Sequence, residues 1–239
     1  MAFEFYKDRH IELPHPPISL AMFLVIENGI RAAWELMREN PRPGFDLSNA
    51  TEDVITHELY ERLYDEVFNK DVVAGFNREL LTTITRESKV RNYDGAKLDK
   101  MPDLLFGLVD RPPVEYPSQD WLFIECKPVD SDHAAGGHYC DKGIIRFVKG
   151  EYAWTMTSAL MVGYASEGYT ILPKLSDALQ ARLNKISTLD QPRPCRRSKA
   201  DSVSEAVHIS KQGRSFKYVE TEQSAPAITI RHLWLKRPV

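Results

Sequence analysis

Two stretches near the amino end carry apolar residues at the spacing of an amphipathic helix. The first predicts a helix over residues 18–40, which Pro41-Arg42-Pro43-Gly44 would end, because proline and glycine interrupt helices. Its apolar face is formed by Leu20, Phe23, Leu24, Ile30, Trp34 and Met37. The second helix should begin near Asn49 or Thr51, with acidic residues in its first turn, where the helix dipole favours negative charge. Its buried stripe recurs every four residues, at Ile55, Leu59, Leu63 and Val67.

The middle of the chain predicts three strands, a helix and a fourth strand. Residues 80–90 contain enough β-branched side chains for a strand, although a helix is also compatible with them. Residues 103–109 and 121–127 predict two further strands, joined by a proline-rich loop. The pattern then changes to helical spacing around 145–152, followed by the apolar strand ALMVGYA. A strand, a helix and a strand in this order predict a crossover unit, and therefore at least one parallel strand pair.

The carboxyl-terminal part predicts a loop and then more strands. Residues 187–204 are rich in proline, serine and arginine, which is typical of an exposed loop or linker. The closing stretch predicts a strand, a turn, a second strand and a final strand near 228–235. We therefore expect an α/β protein with a mixed central β-sheet flanked by helices. Its parts would be an N-terminal helical segment (1–50) packed on a core (51–182), and a basic linker with C-terminal strands (183–239).

Charged residues are distributed unevenly, although the net charge is only −3. Residues 182–239 hold 12 Lys and Arg against 5 Asp and Glu, a balance of +7, which leaves residues 1–181 at −10. A basic tail beside an acidic body suggests a polyanionic partner, although basic tails also occur without any specific role.

Cysteine usage and hydropathy indicate where the protein resides. The three cysteines are far apart in sequence, which argues against a disulfide framework and predicts a reducing compartment. The longest apolar run, at 18–26, is well short of the roughly 20 residues that a membrane span requires. The amino end, MAFEFYKDRH, contains acidic residues and lacks a signal-peptide pattern. Together these features predict a cytoplasmic protein without membrane contact.

Candidate chemistry lies at the ends of the two middle strands. Residues two apart on a strand face the same side, so Glu125 and Lys127 should project together while Cys126 points into the fold. If these strands are neighbours, Asp103 reaches the same place. Two converging carboxylates repel each other unless a cation sits between them, and oxygen ligands with open water positions suit Mg²⁺ or Mn²⁺. Since a lysine beside the metal can stabilise charge on a phosphate, the residues predict metal-assisted hydrolysis of a phosphodiester.

Pro102-Asp103, followed after 21 residues by Glu125-Cys126-Lys127, resembles the motif of the PD-(D/E)xK nuclease superfamily. The order of elements over 52–165 is similar to its restriction-endonuclease-like core. The resemblance implies that Asp103 and Glu125 bind Mg²⁺ or Mn²⁺, that the backbone carbonyl of Cys126 completes the metal shell, and that Lys127 positions the attacking water. It also implies a metal-binding glutamate on the first core helix, for which the candidates are Glu58 and, as alternatives, Glu61 and Glu66.

The activity implied by the resemblance is that of a metal-dependent nuclease, a phosphodiesterase that acts on DNA rather than RNA. The resemblance also implies that it cleaves as an endonuclease. A role in restriction or antiviral defence belongs to the same expectation. An alternative of a different class is a nucleic-acid-binding or assembly subunit that keeps the fold without cleaving. The complete set of Asp103, Glu125 and Lys127 argues against that alternative. A homodimer, or a partner subunit that loads the chain onto its target, is compatible with either function.

Two further groups of residues flank the motif. Lys142, Arg146 and Lys149 recur at spacings of four and three, and predict a helix face that contacts nucleic-acid phosphates, with a merely solvated face as the alternative. His133, His138 and Cys140, in HAAGGHYC, could form a zinc cluster. However, only three ligands occur there, and the glycines favour a loop.

Overall fold

A computed structural model of the chain describes residues 12–195 and 206–238, and within these ranges it shows an α/β structure with one open, mixed sheet of seven strands. The strands are β1 (Leu81–Arg86), β2 (Leu104–Leu108), β3 (Trp121–Val129), β4 (Ser158–Ala165), β5 (Thr188–Pro194), β6 (His208–Gln212) and β7 (Ile228–Lys236). Their order across the sheet is β1-β2-β3-β4-β7-β6-β5. Parallel pairing joins β3 to β4 and β4 to β7, whereas the other neighbours are antiparallel. The predicted α/β class, mixed sheet and parallel crossover pair are confirmed.

The described residues form four α-helices: α1 (Leu20–Glu39), α2 (Glu52–Glu61), α3 (Ile145–Val148) and α4 (Ile171–Gln180). Helix α2 continues as a π-helical segment, Arg62–Phe68, and α3 is the end of a crossover helix that begins as the π-helical segment Ala135–Ile144. The two predicted N-terminal helices are confirmed, and so is the crossover helix, although it ends at Val148 and not at residue 152 as its pattern predicted. The prediction of a loop for HAAGGHYC is wrong, because residues from Ala135 onward already belong to the crossover helix. None of the helices in the described ranges is both long and apolar enough to cross a membrane.

Helix α1 packs against the middle of the sheet. The ring of Trp34 stacks on Tyr164 of β4 with centroids 5.5 Å apart, and its Nε1 donates a hydrogen bond to the Lys236 carbonyl at 3.1 Å. One hydrophobic core runs from Ile18 to Leu235 and includes residues of all three predicted parts of the chain. The division at residues 50 and 182 therefore stays a prediction from sequence.

The carboxyl-terminal part differs from the sequence predictions in three places. The loop predicted for 187–204 is wrong for its first half, where Thr188–Pro194 forms the edge strand β5, and residues 196–205 lie outside the described ranges. An edge strand tolerates proline because one row of its backbone groups has no neighbouring strand. Helix α4 was not predicted. The second of the three predicted C-terminal strands is reduced to an isolated bridge between Lys217 and Ser224.

Candidate active site

Antiparallel pairing of β2 and β3 brings the motif residues together. Leu104 lies opposite Ile124, so Asp103, which directly precedes β2, is adjacent to Glu125. The backbone N–H of Cys126 donates a hydrogen bond to Asp103 Oδ2 at 2.6 Å. Glu125 and Lys127 share one face of β3, with Lys127 Nζ 2.9 Å from Glu125 Oε1. Strand register thus assembles Asp103, Glu125 and Lys127 at one place, as expected from their spacing.

The Lys127 ammonium is the point where the oxygen atoms of this site converge. Besides Glu125 Oε1, it lies 2.7 Å from the Cys126 carbonyl oxygen and 3.5 Å from Asp103 Oδ2. A third carboxylate reaches it from the start of α2, where Glu52 Oε1 accepts a hydrogen bond at 2.6 Å. The lysine side chain is buried, with 6% of its surface exposed. The ammonium therefore balances the negative charge of a site that is largely closed to water.

Electrostatics of the site follow from this burial. Burial alone would lower the pKa of Lys127, but the carboxylates of Glu125, Asp103 and Glu52 outweigh it and raise that pKa above its ordinary value. Burial, and then the neighbouring charge of Asp103, raises the pKa of Glu125 to about 7, against the opposing effects of Lys127, Arg146 and a hydrogen bond from Tyr152. With a pKa of about 7, Glu125 takes up a proton as pH falls through neutrality, because the cations around it only partly offset the effect of burial.

Two groups from the crossover helix and the loop after it complete the surroundings of Glu125. Arg146 places its Nη1 atom 3.2 Å from Glu125 Oε1, and the Tyr152 hydroxyl donates a hydrogen bond to Oε2. The helix passes close to β4 at Gly143, where a Cβ would lie 2.6 Å from the Met161 Cε atom, at the end of a flexible side chain. The apolar pattern around 145–152 predicts only a packing role for Tyr152, which lies after the end of the helix, and it gives no sign of the contact with Glu125.

The three cations predicted to contact phosphates differ in their exposure and in their partners. Lys142 and Lys149 are exposed, and the Lys142 ammonium lies 3.1 Å from His138 Nε2. Arg146 instead turns toward Glu125, with about a third of its side chain exposed. Contact of Lys142, Arg146 and Lys149 with nucleic-acid phosphates stays a prediction. The buried carboxylate of Glu125 attracts the guanidinium, leaving the two lysines in solvent.

The helix glutamate that reaches the site is Glu52, and the assignment of Glu58 is corrected. Glu58 Oε1 accepts a hydrogen bond from Arg62 Nε at 2.7 Å, and Glu58 Oε2 lies 3.4 Å from Arg42 Nη1. The two alternative carboxylates, on Glu61 and Glu66, are likewise bound by these arginines. The physical reason is that Arg62, directly after α2, and Arg42, in the loop after α1, neutralise the glutamates toward the carboxyl end of α2, while the amino end of α2 faces the motif.

The histidine and cysteine residues near the motif have other partners. His133 Nδ1 lies 2.8 Å from Asp130 Oδ1. Cys140 is fully buried, and this burial raises the pKa of its thiol to about 12. The Cys126 thiol is also fully buried, so it is the backbone of this residue that faces the site. Within residues 12–195 and 206–238, no three His, Cys, Asp or Glu side chains are arranged so that they could hold a metal ion. The zinc cluster therefore finds no support.

The donor set at Lys127 nevertheless fits the chemistry of Mg²⁺ or Mn²⁺. Asp103, Glu125 and the Cys126 carbonyl offer the hard oxygen atoms that these ions prefer. Because the oxygens converge on the ammonium, binding a divalent ion requires a change at Lys127. Comparisons of the chain with protein-family models, with curated proteins and with solved structures find no match.

Proposed function

We propose that this protein is a Mg²⁺-dependent nuclease with a restriction-endonuclease-like core. The observation that carries the proposal is the convergence of Asp103, Glu125 and the Cys126 carbonyl on one buried cation, the Lys127 ammonium. Two carboxylates held together beside a lysine are the groups that metal-assisted phosphodiester hydrolysis requires. The chain order of α2, β1, β2, β3, crossover helix and β4 agrees with the order that the sequence resemblance implies.

Each group has a role that follows from its chemistry. Asp103, Glu125 and the Cys126 carbonyl would hold Mg²⁺ or Mn²⁺, and Glu52 is the further carboxylate within reach of the site. A bound divalent ion supplies positive charge to a phosphate and lowers the pKa of a coordinated water. Lys127 orients the attacking water and stabilises the charge that develops on the phosphate oxygens. Arg146, a third exposed and beside Glu125, is placed to contact the same phosphate.

The exposed cations next to the site support a nucleic acid as the substrate. Lys142 on the crossover helix and Lys149 directly after it are both exposed, and lysines contact the nucleic-acid backbone independently of its sequence. The resemblance of the motif to the nuclease superfamily is what favours DNA as the proposed substrate, with cleavage within the chain rather than from its ends. Restriction or antiviral defence is the biological role that we propose for such an activity.

The test is a cleavage assay with linear, circular and single-stranded DNA and with RNA, each with and without Mg²⁺. We expect Mg²⁺-dependent conversion of circular plasmid to nicked and linear forms. Asp103→Asn should abolish it, because this change removes a charge from the metal-binding groups. Lys127→Ala should slow the chemical step at saturating substrate.

A matched control is Asp110→Asn, which makes the same change at an exposed residue beyond the other end of β2. This variant should cleave as the unmodified protein does. Binding of DNA without cleavage of any substrate would contradict the proposal and favour the non-cleaving subunit. Equal loss of cleavage in Asp103→Asn and Asp110→Asn would also count against the assigned site.

A further inference from the structure

The carboxylate of Glu125 has its two oxygen atoms bound by groups of different kinds. Oε1 lies 2.9 Å from the Lys127 ammonium and 3.2 Å from the Arg146 guanidinium. Oε2 accepts a hydrogen bond from the Tyr152 hydroxyl. The carboxylate is fully buried, so water cannot replace any of these partners. The two cations and the hydroxyl together therefore determine the orientation of the Glu125 carboxylate.

Tyr152 is itself held firmly in place. The residue is fully buried, and its ring lies parallel to Phe123, with centroids 6.2 Å apart. Phe147 meets it edge-on at 5.1 Å. Phe123 is two residues before Glu125 on β3 and lies on the same face of the sheet. The ring that stacks on Tyr152 and the carboxylate that Tyr152 contacts are therefore carried by the same strand. The hydroxyl thus has a fixed position relative to the Glu125 backbone.

We propose that Tyr152 is a positioning residue whose hydroxyl holds Glu125 Oε2, so that Oε1 faces Asp103 and Lys127 for metal binding. This inference rests on the proposed function, since it concerns the same metal-binding carboxylates. The terminal torsion of a glutamate side chain has only weak intrinsic preferences, so an outside contact must set it. Tyr152 supplies that contact without facing the metal-binding oxygens itself.

Removal of the hydroxyl has a specific expected consequence. Tyr152→Phe keeps the ring between Phe123 and Phe147 and deletes one oxygen atom. The Glu125 carboxylate then loses its contact at Oε2 and is held only at Oε1, by Lys127 and Arg146, so its orientation is less well fixed and metal binding must order it. Loss of a hydrogen bond that orients a metal ligand typically weakens metal binding about 10- to 100-fold. We expect this range for Mn²⁺ affinity.

The experiment compares Mn²⁺ binding by calorimetry in the unmodified protein, Tyr152→Phe and Tyr139→Phe. Tyr139 is a matched control, because it is fully buried and its hydroxyl contacts His232 and the Met161 carbonyl instead of the carboxylates. Tyr152→Phe should weaken binding about 10- to 100-fold, while Tyr139→Phe should change it less than about twofold. The Mg²⁺ concentration for half-maximal cleavage should shift in parallel, with kcat recovering at saturating Mg²⁺. A merely structural role would lower thermal stability in both variants without moving that concentration.

Each outcome has a distinct meaning. Equal Mn²⁺ affinity in Tyr152→Phe and the unmodified protein overturns the positioning role and leaves the proposed function standing. Absence of any divalent-ion binding by the unmodified protein overturns both. If Tyr152→Phe does not fold, Phe147→Leu replaces it, because this change loosens the tyrosine ring and retains its hydroxyl. Phe147→Leu should weaken Mn²⁺ binding by a smaller factor, and unchanged binding in it overturns the inference.

Discussion

The substitution Lys127→Met tests whether the buried ammonium holds the carboxylates of the site together. Methionine has a similar length and no charge, so the aliphatic packing is largely kept. The change leaves Glu125, which is fully buried, with Arg146 and Tyr152 as its remaining partners. Removing one partner from a buried ion pair costs about 3–5 kcal/mol, since an uncompensated charge remains. Because two partners remain, we expect a loss at the lower end, about 3 kcal/mol at pH 8.

The size of this loss should depend on pH. The pKa of Glu125 is raised from 4.5 to about 7, and Lys127 is among the groups that lower it, so the substitution raises it further. An acid whose pKa is higher in the folded state binds more protons when folded. Its ionisation therefore lowers stability as pH rises from the unfolded to the folded pKa, by about 1.4 kcal/mol per pH unit. In the unmodified protein this decline in stability ends near pH 7, whereas in Lys127→Met it continues to higher pH. The difference in free energy of unfolding between the two proteins should therefore grow by about 1–1.5 kcal/mol between pH 6 and pH 8.

The assay is urea unfolding of the metal-free protein at pH 6, 7 and 8. Lys142→Met serves as the control, because this lysine is exposed and its loss should change the free energy of unfolding by less than about 0.5 kcal/mol. A loss in Lys127→Met that is the same at pH 6 and pH 8 would refute the assigned coupling to Glu125. Unchanged stability at pH 8 would refute the buried ion pair itself.

Three further predictions concern the surroundings of the site. Glu58→Gln should lower the free energy of unfolding by about 1–3 kcal/mol without changing the Mg²⁺ concentration for half-maximal cleavage. Glu52→Gln should raise that Mg²⁺ concentration, and the reverse pattern in the two variants would place Glu58 at the site. Lys149→Ala should reduce the slope of log affinity for DNA against log salt by about 1, and an unchanged slope would remove this lysine from the interface. Mn²⁺ affinity, measured by calorimetry, should decrease as pH falls below about 7, because Glu125 must lose its proton to bind the ion, and a flat profile between pH 5 and 8 would contradict this.

Local patterns in the sequence were sufficient for the elements that carry the motif. Alternating and continuous apolar runs identified β2, β3 and β4, and helical spacing identified α1 and α2. The two-residue period of a strand also placed Glu125 and Lys127 on one face, since this follows from backbone geometry alone. Strand β5 was missed, because its prolines and exposed residues are typical of a loop until a neighbouring strand pairs with it.

The partners of the charged residues were decided by tertiary structure. Sequence spacing placed both Glu52 and Glu58 on α2, but it could not show that Arg42 and Arg62 bind Glu58 while Lys127 binds Glu52. Ion pairs form between residues far apart in the chain, and their geometry depends on how α2 lies on the sheet.

The same distinction applies to Arg146 and Tyr152. Both residues were visible in the sequence, but their convergence on Glu125 depends on how the crossover helix and the loop after it pack against β3. The sequence by itself determined which residues share a strand or a helix face, because those relations are set by local backbone periodicity. Tertiary structure alone decided which of them meet inside the protein, because that depends on the packing of elements distant in sequence.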